Sequence, residues 1–229
     1  MKTAKEKPMI VDLSHEIIAG MITYKGLPAP LICDFLSREN SRQHYATGTE
    51  FQIGKIEMVA NTGTYVDSPF HRFENGIDLA ELPLVSLVNL AGVVVRAQHV
   101  GRAIKPESFY DIDLKGKAVM IHSGWARHWQ TDRYFEGHAF LTKDSAQYLV
   151  ANGAAFVGID SYNIDDVLDG TRPVHTILLK NNIPICEHMC GLEQLPDEDF
   201  KFHAAPVKIK GFGTFPVRAY AILERLEAK

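Results

Sequence analysis

Cysteine is scarce, with three in 229 residues. An odd count argues against a disulfide framework and fits a reducing compartment. A basic stripe is missing too: 24 Lys and Arg stand against 28 Asp and Glu, for a net charge of −4. Without clustered Lys or Arg there is no electrostatic footprint for nucleic acid. Long apolar runs are also lacking. The opening MKTAKEKPMIVDLSH is basic, but its apolar run stops after Met9, Ile10 and Val11, too short for a secretory h-region or a membrane span. The expectation is a cytoplasmic protein with neither a nucleic-acid nor a membrane partner. No repeat, low-complexity stretch or spacer divides the chain, so residues 1–229 read as one domain.

What is present is a series of short β-branched runs: MIVDL at 9–13, FQIGKIEMV at 51–59, GVVVRA at 92–97, KAVMIHS at 117–123, AAFVGID at 154–160 and IPICE at 183–187. These predict strands. TKDSAQYLVANG predicts a helix with Thr142 as N-cap, Asp144 in the first turn, an apolar face of Ala146, Leu149 and Val150, and Gly153 past its end. A second, shorter helix is expected over VHTILLKNN, with Pro184 then admitting an edge or first-position strand. The segment 202–223 reads mostly as strand. Helices and strands mix without strict alternation, which predicts an α/β or α+β domain with a mixed sheet.

The densest chemistry lies in NTGTYVDSPFH, residues 61–71. Gly63 permits backbone geometry that other residues resist, and Pro69 pushes Ser68 toward an extended shape, so the loop should be fixed. A fixed loop carrying Asp67 and His71 can present a carboxylate and an imidazole to one point, as general-base or metal-assisted chemistry requires. Plainer roles stay open: Asp67 capping a turn, His71 making a surface hydrogen bond. VHTILLKNNIPICE adds His175 at a helix start and, twelve positions further on, Glu187 at a strand end. Those are common places for catalytic groups in α/β proteins, although His175 could serve only its helix and Glu187 could pair with a lysine. Cys186 and Cys190 flank His188, but their spacing matches no zinc pair. Asp160, Asp165 and Asp166 read as turn caps. Trp125, Trp129 and Tyr134 suit either a pocket wall or the core.

NTGTYVDSPFH resembles the signature H-x-G-T-H-x-D-x-P-x-H of the cyclase family of metal-dependent hydrolases, the group of bacterial kynurenine formamidase and isatin hydrolase. The likeness continues through VDLSHEI, GIDLAELPLVSL, SGWARHWQTDRYF, LTKDSAQYLVANGAAFVGIDSYNID, the VHTILL and CE pair, and GFGTFPVRAYAIL. It implies a swivelling β/β/α fold, a homodimer or homotetramer, and a buried site where a divalent metal activates water against an amide carbonyl of a small-molecule substrate. By the same resemblance Asp67, His175 and Glu187 match metal ligands, and His71 matches the proton shuttle.

Two signature histidines are replaced, by Asn61 and Tyr65. A carboxamide is a poor zinc ligand beside imidazole, and a phenol must lose a proton of reference pKa ~10 before it binds well. The expectation is therefore one divalent ion, Zn or Mn, rather than two. The first reading is a hydrolase of a C–N amide bond, in an N-formyl amide, lactam or cyclic imide, with His71 as general base. Tyr65 would then be an oxyanion donor, Asn61 a carbonyl or amide partner, and Lys25 a partner for a substrate carboxylate. Two alternatives accompany it: a metal-independent cyclase, dehydratase or isomerase using His71, Asp67 and Tyr65, and a binding homologue without turnover.

Overall fold

The computed structural model describes residues 8–223; the basic opening residues 1–7 and the closing residues 224–229 lie outside them. The strands in chain order are β1 (Ile10–Asp12), β2 (Leu31–Leu36), β3 (Ile53–Glu57), β4 (Tyr65–Asp67), β5 (Leu90–Arg96), β6 (Ala103–Ile104), β7 (Ala118–His122), β8 (Phe140–Leu141), β9 (Phe156–Ile159), β10 (Ile185–Glu187), β11 (Phe200–His203), β12 (Thr214–Pro216) and β13 (Tyr220–Leu223). The helices are α1 (Arg38–Ser41), α2 (Lys143–Ala151) and α3 (Pro173–Lys180). Nine strands form one sheet in the order β1-β13-β11-β5-β7-β9-β10-β4-β12. Its centre, β5-β7-β9-β10, is parallel, and both flanks are antiparallel. This is the expected α/β architecture with a mixed sheet.

The centre is buried on both faces, which explains its unbroken apolar runs. Along β7, Val119 and Ile121 turn to a cluster shared with Leu149 of α2 and Leu178 of α3. Met120 turns the other way, to Phe156, Phe202 and Val94. Alternation along a strand thus feeds two cores from one sheet. Helix α2 follows its sequence signals closely: Thr142 is the N-cap, its side chain accepting from Ser145 N, and Gly153 sits beyond the end with φ +72°.

Two expectations are corrected. The run at 51–59 shortens to β3, which pairs only with β2, and every β3 residue is exposed. The late segment is not mostly strand, because residues 204–213 carry none. There the chain leaves β11 on one flank of the sheet for β12 on the opposite edge. Pro184 precedes β10, an interior strand, so it marks a strand start and not an edge. Among the described residues no helix is long and apolar enough to cross a membrane.

Candidate active site

Strand β4 lies between β10 and β12, antiparallel to both. In this register Tyr65 stands opposite Glu187, and Asp67 stands opposite Thr214. Residues two apart share a strand face, so the pairs Tyr65/Glu187 and Asp67/Thr214 face the same way. Val66, between them, packs into the second core with Cys186. Past β4, Ser68 N donates to the Gly213 carbonyl at 2.7 Å, and Pro69 starts the 3-10 turn that carries His71. Gly213 has to be glycine: a Cβ there would stand 2.4 Å from His71 N and 2.5 Å from its Cα.

His175 arrives from α3. The first turn of a helix leaves N–H groups without internal partners, and Asp165 takes two of them, Val174 N at 2.7 Å and His175 N at 3.0 Å. The same carboxylate lies 2.6 Å from His175 Nδ1. A carboxylate acceptor keeps the proton on Nδ1 and fixes the ring. His175 Nε2 then stands 3.6 Å from Asp67 Oδ2 and 3.6 Å from Glu187 Oε1.

Asp67 is fully buried, and its Oδ1 accepts from the Thr214 hydroxyl. Its Oδ2 is buried with no hydrogen-bond partner. Thr214 Oγ1 also lies 2.8 Å from His71 Nδ1, so one hydroxyl bridges the two residues read first from the sequence. Glu187 is better satisfied: Oε1 accepts from Ile164 N at 2.6 Å and Oε2 from the Tyr65 hydroxyl at 2.7 Å.

The electrostatics follow from this crowding. Burial works to raise the Asp67 pKa, but the charges of His71 and His175 and the Thr214 hydroxyl hold it below the usual range. Burial, joined by the Asp67 charge, outweighs His175 and pushes Glu187 upward. Burial alone would lower His175, yet Glu187, Asp165 and Asp67 together raise it to about 10. Tyr65 is driven well above its ordinary value by burial, then by Glu187 and Asp67, so it stays a neutral phenol.

The donor set suits a divalent cation. Ligand atoms of Asp67, His71 and His175 lie within 4.8 Å of one another. Two donors about 2.1 Å from a tetrahedral ion are themselves about 3.4 Å apart, close to the 3.6 Å separations at His175 Nε2. Oδ2 of Asp67, the buried oxygen without a partner, faces that gap. Asp67 and His175, with Glu187 or His71 as a third donor, could hold such an ion.

A cavity of about 310 Å³ opens beside these groups, with Asn61, Tyr65, His71, His175 and Glu187 in its lining together with Tyr24, Leu27, Asn163, Arg72 and Arg172. The structure therefore brings together every candidate named from the sequence except Lys25. Lys25 lies on the surface, 3.9 Å from Glu136, and the lining cations are Arg72 and Arg172 instead. Tyr65 is not a free oxyanion donor either, because its proton is engaged by Glu187. Sequence reading passed over Thr214, within GFGTFP, and took Asp165 for a turn cap. His188 is fully buried between Tyr134, whose hydroxyl is 2.8 Å from its Nδ1, and Tyr65, 3.3 Å from its Nε2. Burial drops the His188 pKa to about 3, so it is neutral. Tyr134 packs in the core, and Trp129 stacks on His15 at 4.1 Å.

Comparison with known proteins agrees with this fold. The profile of the Cyclase family ("Putative cyclase") matches residues 11–166, and the chain belongs to that family. A kynurenine formamidase of Bacillus cereus is 28% identical over 170 residues, covering 73% of this chain and 78% of that protein. Isatin hydrolase A from Labrenzia aggregata superposes with a TM-score of 0.80 at 19% identity, covering 95% of this chain and 94% of the other. A protein described as a predicted metal-dependent hydrolase from Bacillus stearothermophilus gives a TM-score of 0.70 at 26% identity, covering 94% and 98%.

Proposed function

We propose that the chain is a metal-dependent hydrolase cleaving a C–N amide bond of a small molecule: an N-formyl amide, a lactam or a cyclic imide. The observation that carries this reading is Asp67 Oδ2, a buried carboxylate oxygen without a partner, aimed at an imidazole nitrogen 3.6 Å away. Among the described residues no donor sits within hydrogen-bonding distance of that oxygen, and only the charge of His175 across the gap answers it; a divalent cation seated there would bind it directly. Kinship with kynurenine formamidase and with metal-dependent hydrolases supports the same chemistry.

Asp67, His175 and Glu187 would hold one zinc or manganese ion, a set of one imidazole and two carboxylates that suits either metal. Bound there, the ion supplies Lewis acidity toward a carbonyl oxygen and toward water. Asp165 orients His175 through Nδ1, as a carboxylate behind a ligating imidazole does. His71, on the cavity wall, takes the proton of the attacking water and returns one to the leaving nitrogen, with Thr214 holding its Nδ1. Tyr65 keeps its proton and fixes Glu187. Asn61, which lines the cavity beside Tyr65, is a polar group placed to meet the amide. The β2–β3 ribbon supports assembly into a homodimer or homotetramer: a two-stranded hairpin is marginal by itself, and Phe35 on it is 77% exposed.

Elemental analysis after reloading with zinc or manganese tests the proposal, together with hydrolysis of formanilide before and after chelation. The expected result is about one ion per chain and turnover that chelation abolishes and metal restores. An occupancy well below one, or turnover indifferent to chelation, overturns it.

A further inference from the structure

We propose that the substrate carries a carboxylate, and that Arg72 and Arg172 on the cavity wall receive it; this rests on the hydrolase reading and adds the charge of the substrate to it. Both guanidinium groups line the cavity that holds His71, His175 and Glu187. Arg72 donates Nε to Thr176 Oγ1 at 3.1 Å and lies over the Phe73 ring, 5.4 Å from its centroid, which leaves its terminal amino groups without a hydrogen-bond acceptor among the described residues. Arg172 meets two neutral acceptors, Asn163 Oδ1 at 3.4 Å and the Asp166 carbonyl at 3.2 Å. Among the described residues neither arginine lies within ion-pair distance of a carboxylate.

Acids close by in sequence are already engaged. The Asp166 carboxylate lies 3.8 Å from Arg102, and that of Asp169 accepts from Thr171 N and Oγ1. Arg96 and Arg218, away from the cavity, each take an aspartate. The two cations on the cavity wall are thus left with unspent charge and planar donor forks, which match a carboxylate bidentately.

The backbone at Arg172 points the same way. Its φ of 47° and ψ of 59° lie in the left-handed region, directly before Pro173. Non-glycine residues seldom adopt it, and such strain collects at ligand clamps. Tyr24 and Leu27 supply apolar wall beside the arginines. The ligand class is therefore a small aryl or alkyl amide that carries an acidic group besides the scissile bond.

Two pairs of probes test this on the metal-loaded protein. Binding of benzoate and of benzamide is measured calorimetrically, and hydrolysis is compared for N-formylanthranilate and formanilide, which share the bond but differ by a carboxylate. Benzoate should bind at least ~10-fold more tightly than benzamide, as charge-assisted hydrogen bonds imply, and kcat/KM should favour N-formylanthranilate similarly. Arg72→Gln, on an exposed turn, should cut the preference severalfold, and Arg72→Gln with Arg172→Gln should bring it to within about twofold. Equal binding of benzoate and benzamide, or a preference that survives the double substitution, overturns the proposal. If both anilides turn over equally, the hydrolase reading stands without the carboxylate seat. If neither turns over while the benzoate preference holds and depends on the arginines, the seat stands and the hydrolase reading falls.

Discussion

Two buried aspartates at strand ends invite comparison. Asp160 follows β9, and Asp67 closes β4. Asp160 is 2% exposed, and both of its oxygens are met: Ser123 N at 2.7 Å and Ser123 Oγ at 2.6 Å reach Oδ1, and Gly124 N reaches Oδ2 at 2.8 Å. Asp67 is as deeply buried, but only one oxygen has a donor, and the other faces His175. His122 lies 3.9 Å from Asp160, and burial with the Arg96 charge lowers its pKa. A carboxylate with both oxygens answered by its own loop is structural. One left half-answered beside an imidazole is a seat for something else.

The largest way to break this contrast is Asp67→Asn. Metal content should fall to a small fraction of one ion per chain, and formanilide hydrolysis should drop by at least ~10²-fold, more than the loss of an outer-shell group. Thermal stability of the metal-free protein should fall as well, because His71, His175 and Thr214 hold the Asp67 carboxyl below its usual range and the fold therefore favours its charge. Elemental analysis, initial rates and thermal melts read the three effects.

Asp165→Asn should come next, weakening zinc affinity by ~10–100-fold in a competition titration, because His175 loses the acceptor that fixes its ring. The signature distinguishing it from plain destabilisation is recovery of activity at raised zinc.

Asp160→Asn should instead leave metal content intact while lowering stability by about 1–3 kcal/mol in urea unfolding near pH 4, the cost of mismatched buried donors. Its pH dependence sharpens the test. Burial raises the Asp160 pKa from 3.8 to about 6, so between those values the folded chain keeps a proton that the unfolded chain has lost. Stability from this group is full below 3.8 and is lost as pH rises through 6. The advantage of the wild type over Asp160→Asn should therefore shrink by about 2 kcal/mol from pH 4 to 6.5. His15, lowered to about 4 by burial, acts oppositely in both proteins and cancels in the difference.

Smallest of all, Lys25→Ala should change kcat/KM by less than about twofold, because its contact is an exposed pair with Glu136.

Much of the candidate site was legible because its residues cluster in two short strings. NTGTYVDSPFH and VHTILLKNNIPICE contain Asn61, Tyr65, Asp67, His71, His175 and Glu187, all on the cavity or at its base. Fold elements with strong local rules were legible as well, α2 most clearly with its Thr142 cap. Thr214 escaped notice because a lone threonine in a glycine-rich turn has no pattern of its own; only pairing with β4 sets it against Asp67. Asp165 was read as a cap, and it does cap α3, but its bond to His175 Nδ1 depends on how that helix docks. Lys25 is suggested by its place in a string, whereas Arg72 and Arg172 carry no local signal, because which cation meets a cavity is not a property of a string.

From the sequence alone came the family, the central strands, the capped helix α2 and the short list of residues able to do chemistry. All of these depend on neighbours within a few positions, where spacing, caps and backbone preferences act directly. Tertiary structure alone decided that Tyr65 is tied to Glu187, that Asp67 keeps one oxygen without a donor, and that two arginines rather than a lysine border the cavity. Those outcomes rest on strand register and on the docking of α3 against the sheet, and register is set by long-range burial that joins residues more than a hundred positions apart.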